Sequence, residues 1–99
     1  MHKLVVTYPR PDDPGRFRAY YAATHIPLAA RLPGLTGYSY GYPEALGPGD
    51  APFCIFEATF ADSASLDAAL GSPEGKAVAA DVPNYSPKGA TIMRFDVAT

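Results

Sequence analysis

The chain predicts an α+β domain of order βαββαβ, closed as one four-stranded antiparallel sheet with both helices on one face. Three observations carry this reading. Residues 4–8, 37–42, 53–60 and 90–97 are short segments rich in β-branched or aromatic residues, with strand patterning. Two capped segments with apolar residues at three- and four-residue spacing lie between the first and second of these and between the third and fourth. At 99 residues the chain is one domain, spanning 1–99, with no composition break to mark a second core. The order is that of two split β-α-β units, the ferredoxin-like arrangement.

Leu4-Val5-Val6-Thr7-Tyr8 reads as a buried strand, stopped by Pro9-Arg10-Pro11-Asp12-Asp13-Pro14, where the acids suit the cap of a following helix. From Pro14 to about Ala30, helical spacing puts Phe17, Tyr21, Thr24, His25 and Leu28 on one face, with Arg16 and Arg18 away from its centre. Pro27 removes a backbone donor and biases Ile26 away from helical geometry, so the last turn should kink or restart after His25. Pro33-Gly34 ends the element, and Gly37-Tyr38-Ser39-Tyr40-Gly41-Tyr42 alternates to place three Tyr on one face of the second strand. A Pro- and Gly-rich stretch at 43–52 leads into the aromatic third strand.

Asp62 or Ser63 then caps a helix bearing Leu66, Ala69 and Leu70. Gly71 interrupts it, Ser72-Pro73-Glu74 starts a second helical piece through about Asp81, and Pro83-Asn84-Tyr85-Ser86-Pro87 reads as a rigid loop. The last strand sets Thr91, Met93, Phe95 and Val97 against Ile92, Arg94 and Asp96, the pattern of a half-exposed or edge strand.

A chain this short buries only about two-thirds of its extended surface, so its core is thin. The sheet face away from the helices would also carry apolar side chains, and face-to-face homodimerisation would cover them. Eight Lys plus Arg against ten Asp plus Glu gives a net charge of −2, the wrong sign for neutralising phosphates, so no nucleic-acid partner is expected. Cys54 is the only cysteine, which excludes an internal disulfide and thiolate metal clusters and fits a reducing, cytoplasmic location. No stretch approaches a signal-peptide core or a membrane span, so no membrane association is expected. The histidines and Cys54 show no ligand spacing and no glycine-rich phosphate loop is present, so neither a metal nor a nucleotide cofactor is expected.

In this fold both helices finish at the same end of the sheet, bringing His25 to residues 81–86, with the start of the second strand between them. His25 ordinarily titrates near ~6.5 and is the candidate acid or base. The competing role is a buried neutral imidazole bonded to a carbonyl that Pro27 frees. Asp81 could orient His25 or act as a base, although a carboxylate at a helix end more often serves as a local acceptor. Tyr20, Tyr21, Tyr40 and Tyr85 could donate to a ligand carbonyl or phenolate, or could be core and contact residues. Tyr85, beside Asp81, is the Tyr most suited to a site, and Ser86 joins it as a candidate substrate contact.

Phe17-x-x-Tyr20-Tyr21-x-x-x-His25-x-Pro27-Leu28, Leu32-Pro33-Gly34-Leu35, Ser72-Pro73-Glu74-Gly75 and Asp81-Val82-Pro83-Asn84-Tyr85 together resemble the EthD family of dimeric α+β barrel proteins. The resemblance spans nearly the whole chain, and His-x-Pro-Leu followed closely by Leu-Pro-Gly is its specific part. It implies a ferredoxin-like protomer, dimerisation through the sheets, and a cavity between sheet and helices. Founding members accompany an ether-degrading oxygenase system without an agreed chemical role. The wider superfamily includes cofactor-free quinone-forming monooxygenases, lactone isomerases, decarboxylases, dehydratases and haem-degrading enzymes. A haem role would rest on His25 as axial ligand, without the Trp often used in that branch to distort the ring.

The expectation is a small cofactor-independent enzyme moving a proton on an aromatic, enolisable or lactone-like metabolite, with His25, Asp81 and Tyr85 catalytic and Tyr20, Tyr21, Tyr40 and Ser86 contacting substrate. The alternative is a non-catalytic binding or accessory protein of an oxygenase system, since fold alone selects no reaction.

Overall fold

The computed structural model describes residues 1–99. Its strands are β1 (His2–Tyr8), β2 (Leu35–Gly41), β3 (Cys54–Phe60) and β4 (Thr91–Asp96), in one antiparallel sheet of order β2-β3-β1-β4. This is the ferredoxin-like topology. β1 is central and pairs His2 through Tyr8 with Phe60 through Cys54 on one side and with β4 on the other. Alternation in β3 buries Cys54, Phe56, Ala58 and Phe60 on the helix side, where Leu4 and Tyr8 of β1 join them. β4 is an edge strand, exposed throughout, and Met93 and Phe95 lie in register with Val5 and Lys3 on the face away from the helices.

The first helical excursion comprises α1 (Pro14–Tyr20), a π-turn at Tyr21–His25, and α2 (Ile26–Ala29). Asp13 caps it by accepting from Arg16 N–H, with Pro14 in the first turn. The restart after His25 expected from Pro27 takes the form of a widened turn, in which Ile26 N–H bonds the Tyr21 carbonyl five residues back. Pro27 has no N–H to give, and its ring would collide with the carbonyl four residues earlier in a regular helix. The extra residue in the turn rotates the stripe that follows it. Phe17, Tyr21 and His25 are buried as expected, but Ile26 and Ala29 take the buried places after the turn. Thr24 is exposed and Leu28 only half-buried, which corrects the single continuous face read from the sequence.

The second excursion is α3 (Ser63–Gly71), capped by Asp62, and α4 (Pro73–Tyr85), capped by Ser72. Leu66 and Ala69 are buried, whereas Leu70 is exposed. α4 continues past Asp81, so Pro83, Asn84 and Tyr85 form its last turn and not a loop. A proline needs no N–H partner, and Ser86 N–H still closes onto the Val82 carbonyl at 2.8 Å while Tyr85 anchors the turn in the core. No helix is long and apolar enough to cross a membrane.

Candidate functional site

The π-turn and the last turns of α4 meet over the helix side of the sheet, and this junction collects most of the expected site residues. His25 Nδ1 lies 2.9 Å from Asp81 Oδ2, both groups being buried. Asp81 Oδ1 also accepts from the Tyr20 hydroxyl at 2.6 Å and from Asn84 Nδ2 at 3.1 Å. Asp81 and Asn84 are three residues apart on α4, so the helix itself aims the amide at the carboxylate. Burial alone would raise the Asp81 carboxyl. The hydrogen bonds from Tyr20, Asn84 and His25 outweigh it and hold the group below the usual carboxylate range.

Burial lowers the His25 pKa, against the opposing pull of the Asp81 hydrogen bond and charge. At neutral pH the pair is therefore a neutral imidazole beside an ionised carboxylate. A carboxylate accepts only, so the imidazole proton sits on Nδ1 and the lone pair on Nε2. This arrangement makes Nε2 a base of fixed orientation. The carbonyl-bonded histidine weighed from the sequence is replaced by a carboxylate-bonded one.

Aromatic rings enclose the imidazole. Tyr21 stacks on it with centroids 5.2 Å apart, and Tyr85 lies at 4.6 Å with a 55° tilt. Tyr40, reaching in from the far part of β2, meets Tyr21 edge-on at 5.5 Å, so the end of this strand and not its start borders the site. Tyr21 donates to the Tyr8 hydroxyl at 3.3 Å, and Tyr8 and Tyr85 share a bond of 2.8 Å. Burial raises the pKa of all three phenols, which keeps them neutral donors. Cys54 is pushed up to about 12 by the same burial and is an inert thiol.

Ser86 is buried and donates to the Gly89 carbonyl at 2.7 Å, which ties off the turn after α4. Tyr8 and Asn84 were not singled out in the sequence. Tyr8 was read only as the end of a strand, although a Tyr directed inward from a central strand must find a partner for its hydroxyl. Asn84 carried a usable signal in its position three residues after Asp81.

The open space lies elsewhere than expected. An aromatic cluster of Tyr8, Phe17, Tyr21 and Tyr85 packs between sheet and helices, where the resemblance implied a cavity. A cleft of about 450 Å³ opens instead between the β1–α1 loop and the end of α4, lined in part by Arg16, Phe17, Asn84, Tyr85, Ser86 and Lys88. It brings in Tyr85 and Ser86 but not His25 or Asp81. No three His, Cys, Asp or Glu side chains converge as a metal site.

The domain is of the ferredoxin-like α+β class, and its helix junction holds a buried His–Asp pair among tyrosines. The chain belongs to the EthD domain family, whose pattern matches residues 11–89. It is 30% identical over 100 residues to an uncharacterized 11.0 kDa protein in the thcB-thcC intergenic region of Rhodococcus erythropolis, covering 100% of this chain and 97% of that protein. An EthD family protein from Bacillus halodurans superposes with a TM-score of 0.90 at 29% identity over 99% of both chains. SnoaB, a cofactor-independent oxygenase from Streptomyces nogalater, matches with a TM-score of 0.68 at 16% identity over 99% of this chain and 93% of that one, a likeness of fold alone.

Proposed function

We propose that this protein is a small enzyme that withdraws a proton from an aromatic, enolisable or lactone-like metabolite, with His25 Nε2 as the base. The observation that carries the reading is the buried bond between His25 Nδ1 and Asp81 Oδ2. In the first step the C–H proton beside a substrate carbonyl passes to Nε2, and the electron pair moves onto the carbonyl oxygen as an enolate. Asp81 holds the tautomer and offsets the imidazolium charge, while Tyr20 and Asn84 hold Asp81. The neutral Tyr85 hydroxyl donates to the enolate oxygen, and Tyr21, Tyr40 and Ser86 shape the substrate's surroundings. An enolate is the common entry to isomerase, dehydratase and cofactor-free oxygenase chemistry. The protein works as a homodimer in a reducing cytoplasm, its outer sheet face covered by a second copy.

One observation favours the non-catalytic alternative of a binding or accessory protein. The His25 side chain is only 4% exposed, and the open cleft does not reach it. Hydrogen–deuterium exchange beside the carbonyl of β-tetralone, followed by NMR in heavy water, separates the two. Exchange above the buffer rate that falls about 10²- to 10⁴-fold in His25→Gln, the usual worth of a general base, supports the enzyme. Exchange at the buffer rate for the native protein, or equal in the native protein and His25→Gln, supports the accessory role.

A further inference from the structure

The buried His–Asp pair and the open cleft both border one side chain, Tyr85. Its ring sits 4.6 Å from His25 and also lines the cleft. The other ring against His25, Tyr21, is fully buried and does not border the cleft, so Tyr85 is the ring with open space beside it. Phe17 stands edge-on to Tyr85 at 5.2 Å, giving the cleft an aromatic floor. Above that floor the cleft is lined by two basic and two acidic side chains: Lys88 pairs with Asp12 at 3.0 Å, and Arg16 and Asp13 complete the count. Such a surface suits an uncharged ring system carrying hydroxyl or carbonyl groups, with no net attraction for an ion.

We propose that this cleft is the outer binding subsite and entrance for an aromatic ligand bearing hydroxyl or carbonyl groups, and that Tyr85 is the movable wall between it and His25. This rests on the proton-transfer reading for its purpose, but not for its test. Tyr85 is the last residue of α4 and follows Pro83, which gives no N–H to the preceding turn. The backbone of this turn is held by the Ser86–Val82 bond and by Asn84 on Asp81, so the movement is that of the Tyr85 side chain, which swings toward the cleft while the His25–Asp81 bond stays. The Tyr85 hydroxyl has one protein partner, Tyr8, at 2.8 Å. A ligand oxygen in the cleft can replace that partner, so binding and opening are coupled through one exchanged hydrogen bond.

Two readouts test this without turnover. The first is fluorescence titration with β-naphthol, an uncharged aromatic alcohol. Asp12→Trp places a large ring at the cleft rim from an exposed position, and it is expected to weaken naphthol binding at least tenfold. The second is the rate at which diethyl pyrocarbonate modifies His25, resolved by peptide mass spectrometry. That rate is expected to rise tenfold or more in Tyr85→Ala. In Tyr85→Phe, which keeps the wall but loses its tie to Tyr8, it is expected to rise about three- to tenfold, the factor of one ordinary hydrogen bond. Tyr85→Phe decides the matter should Tyr85→Ala fail to fold, because ring packing is retained. His25 modified at the native rate in a folded Tyr85 variant overturns the movable wall. Naphthol affinity unchanged by Asp12→Trp overturns the subsite. If both readouts come out as expected and β-tetralone exchange is absent, the proton-transfer reading alone fails and the cleft remains a binding site.

Discussion

At the residue scale, two buried side chains carry the proposed chemistry, and their titration also marks the stability of the fold. His25 and Asp81 both hold protons less tightly in the folded chain than their ordinary values of 6.5 and 3.8. The unfolded chain therefore takes up protons first on acidification, and stability is lost as pH falls. The loss is expected to begin as pH drops through about 6.5 and to resume below about 3.8, where Asp81 protonates in the unfolded chain. Melting temperature against pH checks this, and His25→Gln should remove the upper limb. Asp81→Asn keeps the shape but turns an acceptor-only group into one that also donates. It is expected to cost about 1–3 kcal/mol, the penalty of buried donors left without partners, as read by denaturant melts at pH 7. His25 and Asp81 could be picked out in the sequence because few ionisable residues fall at the end of an apolar stripe. Their partner geometry could not, because a separation of 56 residues is closed only by the fold.

At the scale of the elements, prolines and glycines decide the departures from simple helical reading. Pro27 was legible as a disturbance, but whether a proline kinks, breaks or widens a helix depends on what the following turn must bury. Here Ile26 and Ala29 reach the core only with the additional residue in the turn. Pro83 misleads for a related reason. A proline looks like a terminator, yet α4 persists because the buried Tyr85 and the Ser86–Val82 bond hold its last turn in place. Gly75 is a third such point. A Cβ there would stand 2.2 Å from the Ala69 carbonyl oxygen and 2.7 Å from that of Leu70, so only glycine lets the first turn of α4 fold back on the end of α3. Gly75→Ala is expected to destabilise by about 1–3 kcal/mol, because the obstacle is backbone that cannot rotate away. Urea unfolding checks it, and a loss within 0.5 kcal/mol, the range of an ordinary surface change, would contradict the close approach.

At the scale of the whole molecule, the two faces of the sheet divide the work. The helix side is packed with rings around His25, and the outer side leaves Met93 and Phe95 exposed beside a buried Val5. Fold order was the most legible feature, because strand and helix periods differ and each element carries its own punctuation. The location of open space was the least legible, since it depends on how several Tyr rings share one interior. For the proposed homodimer, Phe95 is the most direct probe, being 46% exposed on the outer face. A charge placed there acts twice across a twofold interface. Phe95→Glu is expected to reduce a dimer of the 10.5 kDa chain to monomer by light scattering at micromolar concentration. A folded native protein that is already monomeric at that concentration would contradict the assembly.

The central claim is that Asp81 fixes His25 as a neutral base with its lone pair on Nε2, and the pH dependence of the His25 imidazole nitrogen chemical shifts tests it most directly. The expected result at neutral pH is a protonated Nδ1 and an unprotonated Nε2, with the second proton arriving only below pH 6.5. The Asp81→Asn variant should lower that midpoint further, because burial then acts without the opposing carboxylate charge. A proton resident on Nε2 with Nδ1 bare, or an imidazolium already formed at neutral pH, would contradict the claim.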